Sequence, residues 1–301
     1  MKLVRARKFT YILSALLILG SIGSLLFYGL KLGIDFTGGS ILEGEFGPVA
    51  AGRPEISQVQ EKINSLNFGA TLIQPTGEKG ILVKTRSLSE EEHQQVLKAL
   101  ASLGEFKELR FDSIGPTIGK ELRTRSIYAT ILVLVAIILY IAFAFRKVSR
   151  PVSSWFYGLA AVIALFHDIF IPIGIFSALG HFQGVEIDTL FVTAILTVLG
   201  FSVHDTIVVF DRVRENLKKP GGSAEHFEEV VGKSLSQTLR RSINTSVTVL
   251  IVLVALYFLG SPSTKYFSLT LIIGIIAGTY SSIFIASPLL VTWNNFRSRR
   301  S

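Results

Sequence analysis

The chain has 301 residues, 49% of them hydrophobic, with a mean hydropathy of +0.51, which is too apolar for a soluble protein with one core of ordinary size and points to the membrane class. Its formal charge of +8 comes from 30 Lys and Arg against 22 Asp and Glu, and it argues for nucleic acid only if the positions of the basic residues have no other explanation. The absence of cysteine excludes disulfides, thiolate metal ligands and a cysteine nucleophile together.

Lys2, Arg5, Arg7 and Lys8 open the chain and an apolar run over residues 11–30 follows. A cleaved secretory signal has the same polarity, but this run exceeds a usual signal core and shows no clear small-x-small cleavage site, which favours a retained first helix. Residues 31–125 have balanced charge and no membrane-length apolar run, so they are expected to fold as a separate domain. Within them residues 41–46, 81–85 and 106–114 read as strands, and residues 56–66 and 90–103 as amphipathic helices. Ser89 before Glu90, Glu91 and Glu92 is a helix cap with acids in the first turn. The pattern predicts a small α+β fold of ferredoxin-like type. Gly115, Pro116, Thr117, Ile118 and Gly119 are expected to interrupt regular structure before a helix restarts over residues 120–125, as a hinge or as an ordinary loop.

Five further runs, residues 127–145, 152–179, 187–210, 243–259 and 267–291, are long enough to cross a bilayer. Between and after them stand Arg146, Lys147 and Arg150, then Arg212, Arg214, Lys218, Lys219, Lys233, Arg240 and Arg241, then Arg297, Arg299 and Arg300. All fall on the same side as the basic N-terminus, and the opposite short loops hold only Lys265. The positive-inside rule places both termini in the cytoplasm and the inserted domain outside it. The charge is thereby topological, and no nucleic-acid partner is expected. The divisions are 1–30 for the N-terminus and first helix, 31–125 for the domain and hinge, 126–292 for helices two to six, and 293–301 for a basic tail. Gly221, Gly222 and Ser223 divide the long basic loop, and residues 224–239 read as an amphipathic helix along the membrane face or as a segment packed on neighbouring loops.

An ionisable group at bilayer depth costs at least about 2.5 to 3.5 kcal/mol, so its presence asks for a reason. His167 and Asp168 lie in the third run and His204 and Asp205 in the fourth, with Ser202 and Thr206 nearby; Arg241, Asn244, Thr245 and Thr248 form a polar stripe at helical spacing where the fifth begins. Burial and a facing guanidinium act on a carboxyl in opposite senses, so Asp205 facing Arg241 is a candidate for taking up and releasing a proton. Asp168 is a second candidate, and the two histidines are packing or relay residues. The alternative is that the groups only fix helix packing while Arg241 extends to the interface. Adjacent His-Asp pairs point about 100° apart on a helix, unlike an i, i+4 ligand pair, so no metal site is expected. No nucleophile elbow of G-x-S-x-G type occurs, and an enzyme is not expected. Gly274, Gly278, Ser282 and Ala286 make a small-residue strip for close packing against another span or another subunit. Pro288 is expected to kink the last helix.

Six blocks in order resemble the SecF side of the SecD/SecF family. They are Gly33, Ile34, Asp35, Phe36, Thr37, Gly38 and Gly39; Gly115 and Pro116 with Gly119, Glu121 and Leu122; residues 164–168, reading ALFHD; residues 201–216, reading FSVHDTIVVFDRVREN and so including Asp211 and Arg212; residues 234–239, SLSQTL, leading to Arg241; and residues 267–270, FSLT. The resemblance covers nearly the whole chain. It implies an α-helical polytopic membrane protein, one six-helix half of an RND-type transporter with a ferredoxin-like insert, in the bacterial cytoplasmic (inner) membrane. It further implies SecD as the other half, the channel proteins SecY, SecE and SecG and the translocating preprotein as partners, YajC as a possible one, and the proton gradient in place of any cofactor. Asp205 and Arg241 match the family's proton-path pair, while His204 stands where the family commonly has Asn. The competing expectations are an RND-like exporter half for small molecules or lipids, and a passive scaffold that needs neither residue.

Overall fold

The structure, a computed structural model, describes residues 4, 6–47, 53–145, 152–219 and 226–298. Lys2, Arg5, Arg146, Lys147, Arg150, Gly221, Gly222, Ser223, Ala224, Arg299 and Arg300 therefore lie outside the described residues. In chain order the elements are α1 (Arg7–Tyr28), α2 (Ile34–Thr37), β1 (Gly39–Phe46), α3 (Ile56–Asn64), β2 (Leu72–Thr76), β3 (Gly80–Thr85), α4 (Glu90–Ala101), β4 (Phe106–Ile114), α5 (Pro116–Ala144), α6 (Ser154–Gln183), α7 (Thr189–Lys218), α8 (Phe227–Leu259), α9 (Pro262–Ser281), a π-turn (Ser282–Ala286) and α10 (Ser287–Ser298). They form two compact units, one of residues 32–127 and one of residues 1–31 with 128–301.

The smaller unit is an antiparallel sheet of order β2-β3-β1-β4 with α3 and α4. Alternation sends Leu42 and Phe46 of β1 and Ile81 and Val83 of β3 into one core with Val59 and Ile63 of α3 and Val96 and Leu100 of α4. Gly44 sits at a register shift, where any Cβ would overlap the Phe106 ring at 2.2 Å. The strand β2 was not anticipated. It contains Pro75 and buries only Ile73, which suits an edge position and gives little period-2 signal.

Ser89 closes the predicted cap as a full capping box: its hydroxyl accepts from the Glu92 N–H at 3.4 Å, and the Glu92 carboxylate accepts from the Ser89 N–H at 2.9 Å. Arg86 donates two further bonds, of 2.5 and 3.0 Å, to the same carboxylate. These bonds, Arg86 first and the Ser89 backbone second, pull Glu92 down to about 2. A carboxyl depressed on folding stabilises above its unfolded value near 4.3 and loses that contribution as pH falls through the folded value. Amide-exchange protection at the start of α4 is therefore expected to be flat above about pH 5 and to fall between about 4 and 2. Ser89→Ala is expected to cost about 1 kcal/mol, seen as roughly fivefold faster exchange there at neutral pH.

Gly38 and Gly39 adopt φ of +75° and +137°, and their neighbours are tight. A Cβ on Gly38 would come 2.8 Å from Pro116 Cα, and one on Gly119 would come 2.8 Å from the Gly38 nitrogen. The segment of residues 115–119 does not interrupt the helix as expected, because α5 starts at Pro116 rather than Lys120. Proline lacks the N–H that a first helical residue leaves unused, and its fixed φ suits that position. Gly119→Ala is expected to destabilise the domain by about 1 to 3 kcal/mol, whereas Gly115, with nothing within 4 Å of a built Cβ, should tolerate alanine; protease resistance of the domain in the purified chain distinguishes the two.

The larger unit supplies the membrane part. Among the described residues six stretches are long and apolar enough to cross a membrane: α1, α5, α6, α7, α8, and α9 continuing through the π-turn into α10. The third, fourth and sixth are the most enclosed by their neighbours and form the centre of the bundle. The described part of the amphipathic segment expected over residues 224–239 is not a separate interfacial helix: from Phe227 it belongs to α8, which continues unbroken to Leu259. Nothing between Leu239 and Ile243 ends a helix, since neither Gly nor Pro occurs there. At 33 residues α8 is about 50 Å long, well beyond a hydrocarbon core of about 30 Å.

The small-residue strip meets another span of this chain. A Cβ on Gly274 would lie 2.2 Å from Val198 Cγ2, and one on Gly278 3.0 Å from Ser202 Cβ, both on α7. The expected distortion near Pro288 takes the form of the π-turn just before it. Pro288 has no N–H for the Phe284 carbonyl, and Thr10 of α1 donates its hydroxyl to that carbonyl at 3.2 Å. The Ser287 hydroxyl bonds the Ser282 carbonyl at 3.0 Å across the turn.

Candidate functional site

The polar centre of the bundle lies where α6, α7 and α9 meet. Asp168 of α6 is fully enclosed. Its Oδ1 shares a hydrogen bond of 2.9 Å with His167 Nδ1, and its Oδ2 accepts from Ser202 of α7 at 2.5 Å and from Ser281 of α9 at 2.7 Å. His167 is equally buried and lies 5.7 Å from the Tyr280 ring, centroid to centroid. One turn further along α7, Thr206 bonds the Ser282 hydroxyl at 2.8 Å. Small residues on α9 make this possible, because only a helix without bulky side chains brings its serines to within reach of α7.

Asp205 differs from Asp168. It is buried, with Ser242 of α8, His204 and Arg241 as the polar groups that act on it. Yet neither its Oδ2 nor Ser242 Oγ has a hydrogen bond of good geometry. Arg241 is exposed on the outer side of α8 and forms no ion pair with Asp205. Asn244, Thr245 and Thr248 share that exposed face, and the two threonine hydroxyls bond back to their own helix, to the carbonyls of Arg241 and Asn244. His204 is exposed on α7 along with Thr193 and Thr197. A second stripe on α8, Ser234, Thr238, Ser242 and Ser246, faces inward, and Ser246 pairs with Thr279 of α9 at 2.6 Å. The sequence reading missed this stripe although its spacing of four was visible.

The motif residues serve the frame. Gly33 offers its carbonyl to the N–H groups of Phe36 and Thr37 and to the Thr37 hydroxyl, closing the turn of α2 that carries Asp35. Asp211 pairs with Arg214 at 2.5 Å and Arg212 with Glu215 at 2.6 Å along the last turns of α7. Asn216 donates to Ser234 and Gln237, each at 2.9 Å, fastening that end of α7 to α8. Among the described residues no three His, Asp or Glu side chains are grouped to hold a metal ion.

Six spans around a carboxyl-centred polar core, with a small antiparallel α+β domain inserted after the first, define a polytopic membrane protein of one recognisable architecture. Residues 94–296 match the family described as protein export membrane protein SecD/SecF, C-terminal, and residues 23–43 match the SecD/SecF GG motif. The protein translocase subunit SecF of Thermobaculum terrenum is 47% identical over 97% of this chain and 94% of its own length. That of Anaerolinea thermophila is 40% identical over 89% and 86%. The crystal structure of SecDF from Thermus thermophilus superposes with a TM-score of 0.80 at 31% identity, covering 98% of this chain and 39% of that one. The chain belongs to the SecD/SecF family, among its SecF and SecDF protein translocase subunits.

Proposed function

We propose that this chain is the SecF half of an export motor that pairs with SecD and uses the proton gradient to drive late steps of preprotein translocation. The observation that carries this reading is Asp205, a carboxyl buried at span depth with one oxygen unbonded. It lies beside an exposed face of α7 and α8 that presents His204, Arg241, Asn244 and Thr248. Polar groups in a span are costly against lipid and normally face protein or water, so a second membrane half covers that face. The Thermus thermophilus SecDF supports the pairing, since the part similar to this chain is only 39% of it. Asp205 takes a proton from the outer side, the halves rearrange, and release to the cytoplasm restores the charge under the influence of Arg241. The membrane potential supplies about 2.3 kcal/mol per charge per 100 mV, enough to bias one conformational step. The termini lie in the cytoplasm and the inserted domain acts on preprotein outside, next to a channel of SecY, SecE and SecG, with YajC a further partner.

Co-purification from native membranes tests the pairing. Recovery of SecD with the channel subunits is expected, and a stable homo-oligomer without them would overturn it.

A further inference from the structure

We infer that Asp168 is a positioning residue and not a carrier of the transported proton: it fastens the fourth span and the end of α9 in the sixth to the third, giving the segment that bears Asp205 a fixed seat. This rests on the proton-driven reading of Asp205. The two carboxyls are both buried, but their hydrogen bonding is opposite in kind. Asp168 meets three partners from three helices, at 2.9, 2.5 and 2.7 Å, while Asp205 Oδ2 meets none.

The joint is indifferent to where its proton sits. With the proton on His167 Nδ1, Asp168 Oδ1 accepts; with it on Oδ1, the imidazole nitrogen accepts. In either state Oδ2 still accepts from Ser202 and Ser281, so a proton moving within the pair changes nothing in the contacts between helices. That is poor design for a switch and good design for an anchor.

The anchor is placed to matter for Asp205. Ser202 and Thr206 stand on either side of Asp205 in α7, and both reach the sixth span: Ser202 through the Asp168 carboxyl to Ser281, and Thr206 directly to Ser282, the first residue of the π-turn. The Ser282 hydroxyl also lies 3.5 Å from the Ser202 carbonyl. Ser281 has one competing acceptor, the Gly278 carbonyl at 3.1 Å, longer than its bond to Asp168. Asp205 itself has Ser242 of α8 beside it, with no hydrogen bond of good geometry between them. One stretch of α7 is thus held on its α9 side while its α8 side keeps a carboxyl without a fixed partner.

Asparagine separates anchor from carrier. In Asp168→Asn the amide oxygen still accepts both hydroxyls and the amide N–H donates to His167 Nδ1, with the ring proton moved to Nε2; no proton can be carried. The assay is gradient-dependent preprotein export across a pH series in vesicles holding the full chain with SecD and the channel, with amide exchange over residues 278–290 as a second readout. The expected result is export by Asp168→Asn near the parent's rate with an unshifted pH profile. Asp168→Ala should lose about tenfold or more, as when a buried polar group is left unpaired, with faster exchange over residues 278–290. If Asp168→Ala does not accumulate, Ser202→Ala with Ser281→Ala, which keeps the carboxyl and removes both donors, must reproduce the loss and the faster exchange. Export by Asp168→Asn as low as that of Asp205→Asn, at equal protein level, overturns the inference, as does normal export by Asp168→Ala or by the double-serine variant. Should Asp205→Asn itself export normally, the proton reading fails, and the anchor is then decided by the exchange measurements alone.

Discussion

Replacing Asp205 with Asn is expected to abolish the gradient-dependent part of export while leaving the amount of protein in the membrane unchanged. Asparagine matches the carboxyl in shape and can still meet Ser242, so packing between α7 and α8 is kept. On the proton-driven reading, what disappears is the capacity to bind and release a proton at that depth. A charge crossing the potential is worth about 2.3 kcal/mol per 100 mV, roughly a fiftyfold bias on the step it drives, and that bias is what the substitution removes. Thermal stability in detergent should be equal or higher, because a group whose charged form is costly there gives way to a neutral one. Unchanged export with normal accumulation would leave the chain without a motor role and favour a scaffold.

Gly274→Leu is expected to have the largest structural effect. The first added carbon alone would fall 2.2 Å from Val198 Cγ2, 2.7 Å from Cγ1 and 3.0 Å from Cβ, so both branches and the stem of one side chain obstruct it. Alanine there should cost about 1 to 3 kcal/mol. Leucine brings three further carbons and separates α9 from α7 beyond the reach of Ser281 and Thr206. Loss of that seam lowers the steady-state level several-fold, since a destabilisation of a few kcal/mol feeds directly into degradation. Immunoblots of membranes measure this, and partial recovery is expected when Val198→Ala is combined with it. A leucine variant that accumulates and melts like the parent would show that the seam contributes nothing.

Much of the architecture was legible because it follows from one-dimensional signals. The six apolar runs reach the lengths that span a bilayer, and the core strands alternate cleanly, as with Leu42, Gly44 and Phe46. The failures have physical causes. β2 escaped notice because an edge strand with Pro75 has one buried side chain and no alternation to read. The continuity of α8 was missed because its amphipathic first half and apolar second half look like two objects, although no residue between them ends a helix. In the polar centre, sequence picked out both carboxyls but not the difference between them. That difference depends on which helix faces Ser202 and Ser281, a tertiary fact with no local trace. The same holds for the partner of Gly274 and Gly278. Arg241 was identified by its charge, yet the residue that turns inward toward Asp205 is its neighbour Ser242, and only the direction of the helix face decides between adjacent positions.

The proline near the end of the last span ties that span to the first. The carbonyl it frees at Phe284 is met by Thr10, and the same two segments share further bonds: Tyr280 donates to the Thr10 carbonyl at 3.0 Å, Ser14 donates to the Tyr280 hydroxyl at 3.1 Å, and Tyr11 pairs with Thr292 at 3.0 Å. A polar backbone group exposed to hydrocarbon costs several kcal/mol. Residues 266 or more positions apart therefore close one seam, and the bond that the proline withholds from its own helix is returned by a different span.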